Sequence, residues 1–360
     1  MNTMKLTPGW RMVVPALLIA ASLSSLPGAS AVSLDGCVGA TLRNNPDLRA
    51  ATERVQAATA AIKEAQSAYY PMLAGSTTYA RTDNPPQAFM MMLNQRSVSM
   101  QSDFNNPSDT DNLALSLGVK YRLYDFGRRG LDNEMARRGS EVSRLVLRGL
   151  QNALIHQVAR GYYTVLQAGA FVTVQEESVK SLEESLRVAK ERVKAGGAVK
   201  TDVLNLEVQL AQAREDLIRA RNGVKLSLAA LNTAIGTNMV ESANMPAKAE
   251  LPGNKPPEAE DLSVIQNRPE LLAARRMAQI QQAALRKARR QYLPAINAFG
   301  SVDWNSAVST DFERSYFVGV AAEVDFFDGF RKSAAVSGAG AQQRAAAAEA
   351  DKAADNLGLT

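Results

Sequence analysis

From Leu113 to Leu123 every odd position is apolar: Leu113, Leu115, Leu117, Val119, Tyr121 and Leu123. The even positions between them are Ala114, Ser116, Gly118, Lys120 and Arg122. A period of two predicts a strand with one apolar and one polar face. The pattern returns from Tyr316, where Tyr316, Val318, Val320, Ala322, Val324 and Phe326 alternate with Phe317, Gly319, Ala321, Glu323 and Asp325. Partner strands are expected after Pro71 and Pro294, alternating less cleanly, with Ile296, Ala298, Val302 and Trp304 on one face. Strands of this length match the roughly 9–11 residues that cross an outer membrane at a tilt. On that reading Leu113, Leu115, Leu117, Val119, Tyr121, Val318, Val320 and Val324 face lipid, and Lys120, Arg122, Glu323 and Asp325 face a wet lumen. Tyr69, Tyr70, Tyr124, Phe126, Tyr292, Phe327 and Phe330 stand at strand ends, where aromatic girdles sit. An amphipathic hairpin on a soluble core would show the same alternation, but the flanking helices look too long to supply that core.

On either side the period becomes helical. Leu34 to Tyr69 reads as a helix interrupted at Asn45-Pro46, since proline is tolerated in a first turn. Its alanine face (Ala50, Ala51, Ala57, Ala58, Ala61, Ala65, Ala68) permits close packing, and Pro71 ends it. After Asp125-Phe126-Gly127 a helix runs to Lys194, ~100 Å at about 1.5 Å per residue. Its apolar positions Val179, Leu182, Leu186, Ala189 and Val193 are answered, past Ala195-Gly196-Gly197-Ala198, by Val203, Leu206, Leu210, Ala213, Leu217, Ala220 and Val224. Heptads on both arms of a glycine break predict an antiparallel coiled-coil hairpin. Lys200 or Thr201 begins the return arm, with Asp202 well placed for the positive helix N-terminus. That arm frays near Gly236.

The two halves of the chain carry one message. Asn45-Pro46-Asp47-Leu48 and Arg268-Pro269-Glu270-Leu271 open helices, and Tyr70-Pro71 and Leu293-Pro294 open strands at the same offset. Tyr124-Asp125-Phe126-Gly127-Arg128 and Phe327-Asp328-Gly329-Phe330-Arg331 close the hairpins. Self-similarity of this kind marks a duplicated helix–hairpin–helix unit. The implied order is a signal peptide over 1–31, a first-repeat helix over 32–70 and a first β-hairpin over 71–124 with an outward loop at 82–110. A coiled-coil hairpin over 125–237, with its tip at 195–202, leads to a proline-rich connector over 238–260. A second-repeat helix (261–293), a second β-hairpin (294–327) and the start of a second long helix (328–360) follow.

Composition narrows the function. Lys5 and Arg11 precede an apolar run from Met12 to Leu23, and Ala29-Ser30-Ala31 fits a secretory cleavage site. No later segment approaches the ~20 apolar residues of a membrane helix, so an exported chain that enters a membrane must do so as a β-barrel. The net charge of +5 is spread along helices with no basic block, which gives no reason to expect a nucleic-acid partner. Cys37 is the single cysteine and His156 the single histidine, which argues against a disulfide or a His-based metal site. Met90, Met91, Met92 and Met100 in the outward loop are soft atoms that suit Cu(I), or apolar gap-fillers. No paired-carboxylate, nucleophile–base or phosphate-loop pattern is present, so neither catalysis nor a cofactor is expected.

With these motifs in this order, the chain resembles the TolC-like outer-membrane efflux proteins. The resemblance rests on the duplicated proline-led helix starts, the two strand openings and exits, and Ala195-Gly196-Gly197-Ala198-Val199-Lys200-Thr201-Asp202-Val203-Leu204. It implies an α+β membrane protein: a homotrimer whose protomers each give four strands to one 12-stranded barrel, above a helical tunnel crossing the periplasm of a Gram-negative bacterium. It implies a passive conduit for small toxic molecules, driven by an inner-membrane transporter. Gly196, Gly197, Ala198, Val199, Lys200, Thr201 and Asp202 would meet a periplasmic adaptor, although any helical hairpin needs glycine at its turn. The second copy reaches Thr360 before any second tip hairpin, which reads as truncation relative to the family. A polypeptide-secretion channel shares this architecture, and a soluble periplasmic coiled-coil scaffold is the competitor from another class.

Overall fold

The computed structural model describes residues 32–99, 105–241, 245–246, 266–307 and 310–358. The signal peptide, Met100 and most of the connector lie outside the described residues. Element order is α1 (Leu34–Asn44), α2 (Pro46–Ser67), β1 (Met72–Thr82), α3 (Pro85–Asn94), β2 (Thr110–Tyr124), α4 (Arg128–Lys194) and α5 (Lys200–Ile235). Then come α6 (Pro269–Arg289), a 3-10 turn (Arg290–Tyr292), β3 (Ala295–Ser306), β4 (Glu313–Glu323) and α7 (Arg331–Gly358). Among the described residues no helix is long and apolar enough to cross a membrane.

Local chemistry sets the boundaries. Asn45 caps α2, its Oδ1 accepting from the backbone N–H of Asp47 at 2.8 Å, and Pro46 occupies the first turn. Pro269 opens α6 in the same way behind Arg268, which makes no side-chain cap. The 67-residue α4 ends in a Schellman motif, with Gly197 N–H donating to Arg192 O and Gly196 N–H to Val193 O, Gly196 at φ +74°.

The strands form one antiparallel sheet in the order β1-β2-β3-β4. β1 and β4 are edges with no further partner among the described residues. The long helices run beyond the sheet: α4 packs first against α2 and α6, then against α5, and α7 packs against α6. The main core lies where α1 meets α4 and α5, around Cys37, Ala40, Val158, Tyr162, Val165, Leu231 and Ile235. Burial pushes the Cys37 thiol above its usual range.

Leu210, Ala213 and Ala220 are buried in the α4–α5 seam, and the remaining heptad positions named above are half-buried. Three ion pairs flank it: Glu176–Arg221 at 2.8 Å, Glu183–Arg214 at 2.7 Å and Lys190–Glu207 at 2.9 Å. Each step is one heptad forward on α4 and one heptad back on α5, the geometry of an antiparallel coiled coil.

Three boundaries differ from those read off the sequence. β2 starts at Thr110, and its pairing with β3 shifts between Arg122 and Tyr124, leaving Leu123 as a bulge. β4 ends at Glu323, so Val324 and Asp325 fall past the strand. Its partner β3 begins at Ala295 behind Pro294, which has no N–H to donate, and nothing is left to pair beyond Glu323. Asp325 instead turns to the start of α7, where Lys332 Nζ lies 3.5 Å from its carboxylate and 2.8 Å from its carbonyl. Finally, the segment read as an outward loop contains α3.

Candidate functional site

Cross-strand partners share a face of a sheet, so the register sorts every strand residue. One face carries the rows Leu73–Val119–Gly300–Val318 and Gly75–Leu117–Val302–Tyr316, with Tyr121 beside Ala298 and Val320. Leu113 and Leu115 continue it toward Trp304. Val318 and Val320 are 71% and 67% exposed, so among the described residues no element covers this part of the apolar face.

The opposite face carries Lys120, Arg122 and Glu323, as read from the sequence. It also holds a row that the alternation of β2 alone did not reveal, Ser76–Ser116–Asp303–Ser315, one residue from each strand. Asp303 accepts from Ser116 and from Ser301, the latter at 2.8 Å. The carboxylate is thus held against the sheet by two hydroxyls and solvated on its open side.

At the end of this polar face distant from the long helices, α3 crosses from the β1–β2 connection toward β4. Gln95 Nε2 donates to Asn112 Oδ1 at 2.9 Å, and Asn112 Nδ2 donates to Asn305 Oδ1 at 3.0 Å. Arg96, at φ +50°, reaches Glu313 at 3.2 Å and the carbonyl of Arg314. Asn112, Asn305 and Glu313 all belong to the polar face, so α3 lies over that side. Ala88 is fully buried, whereas Met90 is half-exposed on a helix whose successive residues point in different directions. Asn84-Pro85 repeats the Asn45-Pro46 start signal and is the clue by which α3 could have been found.

At the helix-proximal end the two hairpins close through matching chemistry. Asp125, nearly fully buried, accepts from the backbone N–H groups of Gly127 and Arg129, while Arg129 lies over the Tyr69 ring at 4.9 Å. In the second hairpin Asp328 accepts from Lys332 N–H, and Lys332 lies over the Tyr292 ring at 5.8 Å. Both turns use two consecutive left-handed residues, Phe126-Gly127 and Gly329-Phe330, with the glycine and phenylalanine exchanged.

The far end of the α4–α5 hairpin is the turn Ala195–Val199. Val199 starts α5 without a side-chain cap, and Asp202 N–H closes the first turn on its carbonyl. Gly196, Gly197, Lys200, Thr201 and Asp202 are exposed and Ala198 is half-buried. Val199, Leu204 and Val208 are bare. Close by, the Arg187 guanidinium hydrogen-bonds Glu184 and holds its carboxyl below the usual range. Leu204, Val208, Ile218 and Leu226 share one stripe of α5, within roughly 80° of arc at 100° per residue, away from the seam. The heptad reading missed this stripe because it followed only the apolar set that α4 covers.

The model of the family described as outer membrane efflux protein matches residues 38–237. A probable efflux pump outer membrane protein of Pseudomonas putida, TtgC, is 25% identical over 272 residues, covering 74% of this chain and 52% of that protein. The outer membrane efflux protein BepC of Brucella suis is 21% identical over 330 residues, covering 90% of this chain and 67% of its own length. The crystal structure of the Campylobacter jejuni CmeC outer membrane channel superposes with a TM-score of 0.74 at 14% identity, over 95% of this chain and 75% of that one, which is a likeness of fold. The chain spans about half the length of the Pseudomonas relative.

Proposed function

Because this chain belongs to the outer membrane efflux protein family, we propose that it is one protomer of a passive export conduit in the outer membrane of a Gram-negative bacterium. The observation that carries this reading is the sheet itself: apolar on one face, polar on the other, and, among the described residues, open at both edges. Unpaired strand edges in hydrocarbon leave backbone groups without partners, so a four-stranded sheet is stable there only as part of a closed barrel. Three copies, with β1 of one protomer meeting β4 of the next, give 12 strands, two from each of the six helix–hairpin–helix units. The bare stripe of Leu204, Val208, Ile218 and Leu226 supports the same assembly, since neighbouring helices would cover it.

In this reading the polar face lines the lumen, α3 narrows its outer mouth, and the helices continue the passage through the periplasm. The tip at Gly196–Asp202, with bare Val199, is where a periplasmic adaptor would dock, and an inner-membrane transporter supplies the energy. Small toxic molecules are the proposed cargo, in keeping with relatives of Pseudomonas putida named for antibiotic and toluene efflux. The test is fractionation with heat-modifiable gel migration. Recovery in the outer membrane, with a slower trimer band in unheated samples, is expected. Release with soluble periplasmic protein would refute the conduit and favour a scaffold.

A further inference from the structure

The polar face is not uniformly polar. Phe299 lies on it, beside Lys120 on β2 and Gly319 on β4 in the register. Its ring rests on β4 where Gly319 has no side chain: a Cβ there would stand 2.8 Å from Phe299 Cζ. Phe317, on the same face, meets that ring at 5.6 Å between centroids. An aromatic pair on a face otherwise made of small, hydroxyl, amide and charged residues, with Met72 as its other large apolar side chain, calls for an explanation, because hydration does not favour it.

The neighbouring charges supply one. Lys120 and Arg122 flank the ring, and among the described residues neither has a carboxylate within ion-pair distance; Arg122 Nε only meets Asn297 Oδ1 at 3.4 Å. Glu323 is the carboxylate at this level, and Asn297 Nδ2 faces it at 3.5 Å. Arg129 borders the same space, but Asp125, the Tyr69 ring and two backbone carbonyls already occupy it. Lys120, Arg122, Phe299 and Glu323, with Tyr70 and Met72, line a cleft of ≈ 460 Å³, within the range of small-molecule sites.

We infer that this cleft is a binding site for anionic amphiphiles, molecules with an apolar or aromatic body and one carboxylate or sulfonate. The body lies on Phe299, Tyr70 and Met72, and the anion reaches Lys120 and Arg122. Arginine offers a planar fork for the anion, and the aromatic floor excludes water from one side of it. All these residues come from one protomer, so the site needs no neighbouring chain. The inference rests on the polar face being the wet lumen, and it gives the conduit a preference that a merely solvated wall would lack.

The test is equilibrium dialysis of the solubilised full chain in a neutral maltoside detergent, with dansylglycine as probe and its neutral amide as control. The acid should bind at least tenfold more tightly than the amide. The double variant Lys120→Glu/Arg122→Glu should remove that difference, and Lys120→Arg/Arg122→Lys should keep it. Phe299→Ala should weaken both probes. Equal binding of acid and amide, or a preference that survives the Glu variants, would overturn the site. Export is scored separately, as rescue of solute resistance in cells lacking their own channel. Charge-dependent binding without rescue would uphold the site and count against the conduit, whereas rescue with charge-blind binding would do the reverse.

Discussion

Asn45 and Ala234 are joined across 189 residues of chain by a hydrogen bond of 2.9 Å from the Asn45 side-chain amide to the Ala234 carbonyl. The same Asn45 caps α2 with its other side-chain atom, so one residue starts a helix and ties down the end of α5. Two positions on, Gly236 at φ +84° packs its Cα against Asn45 and Pro46, with room for no Cβ: one would stand 3.0 Å from each. Asn45→Ala should therefore lose about 2 kcal/mol, summing a helix cap and a buried hydrogen bond. Gly236→Ala adds left-handed strain and a clash with backbone and ring, and should cost more than 2 kcal/mol. Denaturant unfolding of the solubilised chain, followed by helix signal, measures both. Losses below half a kcal/mol would show that this joint does not hold the helices together.

Arg96 clamps α3 to β4 through Glu313 at 3.2 Å, an exposed pair whose energetic contribution is small. Its positional effect is expected to be larger. Arg96→Glu should repel Glu313, loosen α3 and increase uptake of a bulky hydrophilic antibiotic in cells carrying the chain. Glu313→Arg added to Arg96→Glu should restore the wild-type level. An uptake that ignores both changes would mean α3 does not narrow the mouth.

The ladder Glu176–Arg221, Glu183–Arg214 and Lys190–Glu207 sets register more than stability. Glu183 and Arg214 are about half-exposed, so a double-mutant cycle to alanine should give a coupling below about 1 kcal/mol that vanishes at high salt. A coupling of several kcal/mol, insensitive to salt, would contradict this.

Cys37 is fully buried, and burial raises its thiol pKa, so little of it is thiolate at pH 8. The folded chain should resist maleimide labelling, with modification appearing only as the α1–α4–α5 core opens under denaturant. Fast labelling of the native protein would place α1 outside that core.

Much of this architecture was legible because burial and chemistry coincided along the chain. Leu113 to Val119 alternates without error where β2 is paired on both sides, and the alternation runs on in sequence past the bulge at Leu123. The heptads to either side of Gly196 and the proline-led starts at Pro46 and Pro269 were readable for the same local reasons. What escaped depends on partners distant in sequence. The end of β4 is decided by Pro294 at the start of its neighbour, although Val324 and Phe326 continue the alternation. The serine–aspartate row and the Phe299–Gly319 fit exist only once four strands are in register. The segment holding α3 reads as polar loop because Ala88, Met91 and Met92, among its apolar residues, find cover only in the folded chain, while Met90 stays exposed.

The central claim is that the two faces of the sheet meet different solvents, and a cysteine scan along β2 tests it most directly. Leu115, Ser116, Leu117, Gly118, Val119 and Lys120 are replaced one at a time, with Cys37 changed to alanine, in outer membranes of intact cells. Water-soluble maleimide should label Ser116→Cys, Gly118→Cys and Lys120→Cys. Spin labels or fluorophores at positions 115, 117 and 119 should be quenched by brominated or nitroxide lipids. That alternation, in phase with the register, is the predicted result. Labelling of all six positions alike, or the opposite phase, would contradict the account.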